Sequence, residues 1–198
     1  EQPNWPLIIK QYQFERYSLV RPGSYLSDEA LAAISSKSSD RITNCRKPKI
    51  VFAEDALAIQ ATLDTASGIP QGGVYFATAV DATYDLRYFL GLYNSSLFTF
   101  IFKSLYSGIH MGGGYLRFRT QYLEELPVRS VDFTREHDKS RYDKLVALVE
   151  RMMELRRIVE PLQSSQLAGE IEQTDREIDN LVYDLYGLSD AERRLVAV

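Results

Sequence analysis

The fold is decided first by one stretch of the chain, Tyr88-Phe89-Leu90-Gly91-Leu92-Tyr93-Asn94-Ser95-Ser96-Leu97-Phe98. It lies inside the segment 84–106, where apolar residues recur every three or four positions, the period of a helix with one buried face. The polar run at 94–96 interrupts this pattern, and serine or asparagine side chains commonly cap the first turn of a helix. The segment therefore predicts a helix, a break and a second helix.

A glycine-rich loop follows the second helix. The run Ser107-Gly108-Ile109-His110-Met111-Gly112-Gly113-Gly114 ends in consecutive glycines, which destabilise the interior of a helix or strand. Next, Tyr115-Leu116-Arg117-Phe118-Arg119 alternates, so an extended backbone would turn its two apolar side chains to the core and its two arginines to solvent. Thr120 is placed to cap a short helical turn that runs to Leu126 and stops before Pro127.

Upstream of these helices, the chain has the pattern of a small sheet. The runs 48–53 and 74–78 are rich in β-branched and aromatic residues, and 58–63 alternates well enough to form a strand between them. Turn-forming residues fill 66–73. These features predict a meander, whereas the first 40 residues give no clear pattern.

Downstream, two apolar series predict a helical hairpin. Both series follow the three-and-four spacing of a seam between packed helices. Pro161 is placed to end or kink the first helix, and Gly187 to terminate the second. The run Ser189-Asp190-Ala191-Glu192 then matches a capping box that would start a short final helix. The first series is Leu145, Leu148, Met152, Leu155, Val159 and Leu162, and the second is Leu167, Ile171, Thr174, Ile178, Leu181 and Leu185.

These elements together predict an α+β fold. A small mixed or antiparallel sheet with helices would occupy residues 1–130, and an antiparallel helical hairpin with a short terminal helix would occupy 131–198. The chain begins with Glu1 rather than Met, and we expect it to be a piece of a longer protein.

Charge is divided unevenly between these two parts. Residues 1–130 carry 13 basic and 12 acidic side chains, whereas residues 131–198 carry 10 and 15, which together give the net charge of −4. Two stretches of the first part, 41–49 and 103–119, contain basic residues and no acidic ones. Such local patches suit phosphate binding, although ordinary solvated cations on a near-neutral domain would give the same pattern.

The composition argues against several kinds of enzyme and against a membrane protein. Cys45 is the only cysteine, and with His110 and His137 as the only histidines there is no spacing typical of a zinc site or a nucleophilic triad. The glycines lack the neighbouring residues of a nucleotide-binding loop. No apolar run is long enough to span a membrane, and a reducing cytoplasm suits the single cysteine. The sequence therefore predicts no catalytic residue and no metal site, and makes a self-contained hydrolase improbable.

Residues 84–128 resemble a known family of DNA-binding domains. The helix break at Asn94-Ser95, the glycine loop and the exit Tyr122-Leu123-Glu124-Glu125-Leu126-Pro127-Val128 follow one another as in the TaqI-like C-terminal specificity domain of adenine-specific DNA methyltransferases and of fused type IIG restriction-modification enzymes. Upstream, Lys47-Pro48-Lys49-Ile50-Val51 is similar to the family's entry strand, and the run 178–188 is similar to its C-terminal helix. The resemblance extends from about residue 45 to 195.

This resemblance implies that the chain recognises double-stranded DNA and does not itself methylate it. The Asn-Pro-Pro-Tyr-type motif and the S-adenosylmethionine loop of the catalytic half are absent, and so is a nuclease signature. An N-terminal methyltransferase domain, with or without a nuclease domain, would therefore be the partner and would bind S-adenosylmethionine, while this chain would bind no cofactor. The residues expected to contact DNA are Lys47, Lys49, Lys103, His110, Gly112, Gly113, Gly114, Tyr115, Arg117 and Arg119.

A second interpretation stays open beside this one. The acidic hairpin of residues 139–187 could dock on a partner subunit or associate with itself, as the helices of type I specificity subunits do in spacing and assembly. Both functions are compatible in one chain.

Overall fold

The protein combines short strands with helices of very different lengths. The computed structural model describes residues 6–19, 24–35, 39–79, 81–106, 108, 112–162 and 164–196. In chain order the elements are β1 (Ile8–Ile9), β2 (Phe14–Glu15), β3 (Ser18–Leu19), α1 (Asp28–Ser35), α2 (Ser39–Cys45), β4 (Lys49–Ala53), β5 (Asp55–Ala56), β6 (Ala61–Asp64), β7 (Ile69–Pro70), β8 (Val74–Thr78), α3 (Leu86–Asn94), α4 (Ser96–Leu105), β9 (Leu116–Arg117), α5 (Thr120–Leu123), α6 (Glu136–Leu162), α7 (Ser165–Tyr186) and α8 (Asp190–Val196), with 3-10 turns at Gln11–Gln13 and Gly112–Gly114.

The sheet forms around β4, whose five residues are all buried. The strands β6 and β8 pair with it on either side, both antiparallel, in the order β6-β4-β8. A parallel pair, β1 with β7, and the antiparallel pairs β2 with β3 and β5 with β9 surround this sheet. The predicted α+β fold is confirmed, and the three-stranded sheet is antiparallel. The strand expected at 58–63 runs over Ala61–Asp64. The predicted meander is wrong, because β4 lies between β6 and β8 and these two consecutive strands of the sheet are not neighbours.

The predicted break between two helices is present and has a polar cause. The Ser95 side chain accepts a hydrogen bond from the Phe98 amide at 3.3 Å, which caps α4. The same hydroxyl donates to the Leu92 carbonyl at 2.6 Å and so satisfies the end of α3. One buried serine therefore serves the ends of both helices.

Asn94 joins the end of α3 to the edge of the sheet. Its side-chain Oδ1 accepts a hydrogen bond from the Ala61 amide at 2.9 Å, and its Nδ2 donates to the Ala61 carbonyl at 3.0 Å. Because β6 is an edge strand, these two bonds satisfy backbone groups that β4 leaves open. The asparagine is only 2% exposed, so its role is structural.

A glycine in the middle of α3 allows close packing against the hairpin. A Cβ atom at Gly91 would lie 2.9 Å from Cγ2 of Val149 and 3.0 Å from Cδ1 of Leu145. Any larger residue there would force these side chains or the two helices to shift. This close approach explains a helical glycine that local propensity disfavours by about 1 kcal/mol.

The helical hairpin of α6 and α7 is confirmed, and the described residues of its two seams are mostly buried. Gly187 ends α7 in the left-handed conformation, with φ of 68°, as the sequence predicts. Helix α6 runs to Leu162, one residue beyond Pro161. The capping box at the start of α8 forms, since Ser189 and Glu192 hydrogen-bond each other. The buried seam residues are Leu145, Leu148, Met152, Leu155, Ile171, Thr174, Ile178, Leu181 and Leu185.

One hydrophobic core joins the hairpin to the sheet and to α3 and α4. The same cluster of buried residues holds Ile50 and Phe52 from β4, Phe98 from α4 and Ile178 from α7. Two smaller clusters lie under the N-terminal strands and between α1, α2 and β7. The division at residue 130 stays a prediction, and across that boundary the two parts share side-chain packing.

Candidate nucleic-acid interface

The glycine loop is exposed and adopts a backbone conformation that favours glycine. Gly113 and Gly114 have φ angles of 82° and 81°, which L side chains rarely adopt. Gly112, Gly113 and Gly114 are all exposed. His110, which the sequence analysis places in this loop, lies outside the described residues.

The alternation predicted for residues 115–119 is confirmed. Leu116 and Phe118 are 5% and 0% exposed, whereas Tyr115 is 46% exposed. The strand itself is short, because only Leu116–Arg117 pairs with β5. The cap of α5 is a correction: Arg119 occupies the N-cap position expected for Thr120, and its side chain makes no cap hydrogen bond.

Arg117 is held by Asp55 of the neighbouring strand β5 and by Glu54, the residue directly before that strand. Its Nε donates to Oδ1 of Asp55 at 3.0 Å, and Oε1 of Glu54 lies 3.8 Å from the same nitrogen. The hydrogen bond that it donates to Asp55 raises the pKa of the guanidinium above its ordinary value, so it stays charged. The two carboxylates fix its orientation and offset its charge.

Two further predicted residues are exposed cations. Arg119 and Lys103 form no ion pair with any residue in the described ranges. Arg119 lies close enough to Tyr75 to lower the pKa of its hydroxyl, as does Arg117. Burial and the nearby carboxylate of Glu54 have the opposite and larger effect, so the pKa of Tyr75 is raised above its ordinary value. Lys103 lies in the last turn of α4, on the rim of a cleft that it shares with Phe100.

Lys49 does not belong to the exposed surface, which corrects the sequence-based assignment. Its side chain is 0% exposed and pairs with the carboxylate of Asp64, itself 1% exposed. The two residues face each other across the β4–β6 register. Asp64 also accepts hydrogen bonds from the Ala66 and Gly68 amides. Lys49 therefore stabilises the turn after β6, and its ammonium cannot reach a phosphate.

Lys47 is exposed but lies away from the glycine loop. It precedes β4, whereas Arg117 pairs with Asp55 beyond the other end of that strand. Five extended residues span roughly 16 Å, so the two cations belong to different parts of the surface. The Lys47 ammonium donates to Oδ1 of Asn44 at 2.9 Å.

An open cleft of about 700 Å³ lies beside the loop and contains residues that the sequence analysis did not select. Tyr12, Leu57 and Tyr115 line the cleft. Tyr12 and Leu57 are each 57% exposed. A Cβ atom on Gly114 would lie 3.8 Å from Cδ2 of Leu57, so the glycine loop adjoins the cleft. Only a contact between distant segments brings Tyr12 here, and no local pattern marks it.

The described residues contain no cluster of histidine, cysteine, aspartate or glutamate that could hold a metal ion. Among the helices of the described ranges, none is long and apolar enough to cross a membrane.

Comparison with known families identifies the part of the chain that carries this surface. The family model of the TaqI-like C-terminal specificity domain matches residues 8–128. The match thus includes most of the first 40 residues, which had no clear counterpart in the sequence analysis, and ends before the hairpin. No curated protein matches the chain. The match covers more than half of the residues, and the chain belongs to the family of TaqI-like C-terminal specificity domains, the DNA-recognition modules of methyltransferase-type proteins.

Proposed function

We propose that this chain reads duplex DNA for an adenine-specific methyltransferase of a restriction-modification system, and that the glycine loop with β9 forms the reading surface. The observation that carries the proposal is the position of Arg119. It is an exposed cation without an ion pair among the described residues, just beyond the exposed glycine loop, inside the region matched by the specificity-domain family.

The exposed cations suit contacts to the phosphate backbone. Lys103 and Arg119 offer charges that no described carboxylate neutralises. Each phosphate that a cation neutralises releases condensed counterions, which strengthens binding at low salt. Gly112–Gly114 adds a segment of backbone without side chains, which lets a phosphate strand approach closely.

Arg117 suits a different contact, the edge of a base. Its guanidinium is fixed by Asp55 and partly neutralised, so it gains less from a phosphate than a free cation does. A planar group with a fixed orientation is well suited to hydrogen-bond acceptors on guanine. We therefore assign Arg117 to base reading and Arg119 to phosphate contact.

The catalytic chemistry would reside in a methyltransferase domain outside this chain, and S-adenosylmethionine would bind there. This assignment is supported by the position of Gly112–Gly114, which follows helix α4 and precedes a two-residue strand, whereas the glycine-rich loops of dinucleotide-binding and P-loop folds join a strand to a helix. If the parent protein is a fused type IIG enzyme, its nuclease domain would likewise lie outside this chain. The alternative role of the hairpin in assembly also stays a prediction, although its apolar seams are buried within the chain and leave its polar sides for contact.

Fluorescence anisotropy with a labelled duplex tests this function. The chain should bind duplex DNA at low ionic strength, and the logarithm of its affinity should fall linearly with the logarithm of salt concentration. Arg119→Ala should weaken binding to all sequences alike and reduce the salt slope by about one. Arg117→Ala should instead relax the preference at one base position at a cost of roughly 1–3 kcal/mol.

Arg135→Ala is the matched control, because Arg135 is also an exposed arginine, 74% exposed, but lies at the start of the hairpin beside Asp132. Its binding curve should match that of the unmodified chain. Absence of binding at low salt, or equal salt slopes for Arg119→Ala and Arg135→Ala, would contradict the proposal.

A further inference from the structure

The cleft beside the glycine loop presents exposed apolar side chains that the core does not use. Tyr12, Leu57 and Tyr115 are 57%, 57% and 46% exposed, and all three line the same open space. Large apolar side chains grouped on a surface commonly mark a binding site. All three residues lie within 8–128, the region that the specificity-domain family covers.

The turn that carries Tyr12 is held in place by side-chain amides. Gln11 pairs with both backbone groups of Asp55, donating to its carbonyl and accepting from its amide. The Gln13 side chain accepts from the Lys10 amide at 2.5 Å, and Gln60 donates to the Phe14 carbonyl at 2.7 Å. The backbone around Tyr12 is therefore fixed although the tyrosine itself projects into solvent. A fixed backbone reduces the conformational freedom that this segment loses when the tyrosine binds.

The charged residues of the cleft neutralise one another or pair just outside it. Two acidic and two basic side chains line it, Glu15 and Asp55 against Arg16 and Arg156. Arg16 pairs with Asp175 at 2.7 Å, and Arg156 lies 3.9 Å from Glu15. Asp55 pairs with Arg117, as described above. The cleft thus has no excess positive charge for a phosphate, and what it offers is aromatic surface and amide groups.

From this chemistry we infer that the cleft binds one nucleobase of DNA that is unstacked from the duplex, with the faces of Tyr12 and Tyr115 as its stacking surfaces. The inference rests on the proposed function and adds the class of ligand for this cleft. A base is uncharged and planar, and every base has a face that stacks on an aromatic ring. Helix α6 forms one side of the cleft through Arg156, so the hairpin contributes to the site without binding phosphate.

Anisotropy with two duplexes tests this inference. One duplex is fully paired, and the other carries a single bulged 2-aminopurine, whose fluorescence is quenched by stacking. We expect the chain to bind the bulged duplex more tightly and to quench the probe. Tyr12→Ala and Tyr115→Ala should each weaken binding of the bulged duplex by roughly 5- to 150-fold, the range for loss of one base–aromatic stack, with no change in salt slope.

Conservative and distant variants distinguish stacking from a general loss of structure. Tyr12→Phe and Tyr115→Phe keep the ring and should bind the bulged duplex as the unmodified chain does. Tyr25→Ala removes a tyrosine that is 61% exposed and does not line the cleft, and it should have no effect. The bulged duplex supplies an extrahelical base without help from the protein. If the fully paired duplex also binds tightly, and Tyr12→Ala and Tyr115→Ala weaken that binding as well, the protein unstacks the base itself.

Two failures are separable. If the chain binds DNA with the expected salt slope but Tyr12→Ala and Tyr115→Ala bind both duplexes like Tyr25→Ala, the inference is wrong and the proposed function stands. If the tyrosine variants instead lose association with a methyltransferase domain while retaining DNA binding, the cleft is a protein interface and the inference is also wrong. Absence of all DNA binding overturns both.

Discussion

Replacing Asn94 by leucine removes one specific link between α3 and the sheet. Leucine has a similar size, so the substitution leaves little empty space and mainly deletes hydrogen bonds. The two bonds lost are those to the amide and carbonyl of Ala61, at 2.9 and 3.0 Å. Both partners lie in a buried part of the edge strand β6.

The structure gives different costs for these two bonds. The Ala61 carbonyl also accepts from the Tyr17 amide at 2.9 Å, so it keeps a partner when Asn94 is replaced. The Ala61 amide loses the partner that the side chain supplied. A buried group left unsatisfied costs about 1–3 kcal/mol, and the loss of a shared hydrogen bond about 0.5–1.5 kcal/mol. We therefore expect Asn94→Leu to lower the free energy of unfolding by roughly 2–4 kcal/mol.

Urea unfolding followed by circular dichroism measures this change. For a chain of this size the expected loss corresponds to a fall in Tm of roughly 5–15 °C. Asn44→Leu is the matched control, because Asn44 is exposed and its side chain bonds only an exposed lysine among its described partners. That variant should unfold within about 0.5 kcal/mol of the unmodified chain. Equal stability of Asn94→Leu and Asn44→Leu would refute the idea that the asparagine completes the sheet edge.

Two further substitutions test the core and the buried ion pair. Ile178→Asp should lower the free energy of unfolding by roughly 3–5 kcal/mol, because it places a charge in the seam of the hairpin. Ile178→Val keeps an apolar side chain and should cost only about 0.5–1.5 kcal/mol. Equal Tm values of the two variants in thermal melting would contradict the burial of Ile178 in the seam. Lys49→Met should lower the free energy of unfolding by roughly 3–5 kcal/mol, since it leaves the carboxylate of Asp64 buried without its cation. Lys47→Met, on the surface, should leave that free energy unchanged. A Lys49→Met variant as stable as the unmodified chain in urea unfolding would argue against a charged pair at this site.

The sequence predicts the strands of the central sheet and the helices from α3 onward, but it misses α1 and α2 and does not predict how the strands pair. The difference follows from the range of the interactions that define each feature. The break at Asn94 and Ser95 is caused by bonds to nearby backbone, and the helical period shows which residues face the core. The burial of Lys49 depends on Asp64, which lies opposite it only when β4 and β6 pair in one register. The predicted strand 48–53 contains Lys49, and the predicted strand 58–63 ends one residue before Asp64. The local sequence pattern does not determine how the two strands align, so it cannot show that these residues face each other.

The candidate site divides in the same way. Local alternation correctly places Leu116 and Phe118 in the core and leaves Tyr115 and Arg119 on the surface. The cleft needs Tyr12, and the link that brings it there joins residues 44 positions apart in the chain. Contacts of this range depend on the tertiary fold, so the aromatic residues near the N-terminus gave no indication of a common surface with the glycine loop.

The short strand β9 shows how buried side chains would support the proposed DNA-reading surface. Two paired residues form a strand that is barely stable by itself. Phe118, directly after it, is fully buried and packs on Phe102 of α4 with ring centroids 4.6 Å apart, and its amide donates to the Glu54 carbonyl at 2.6 Å. These contacts fix the backbone between Arg117 and Arg119. Under the proposed function, Arg117 would meet a base edge in one orientation because Asp55 and this backbone hold it, so the packing of α4 against Phe118 would contribute to recognition beside the charges.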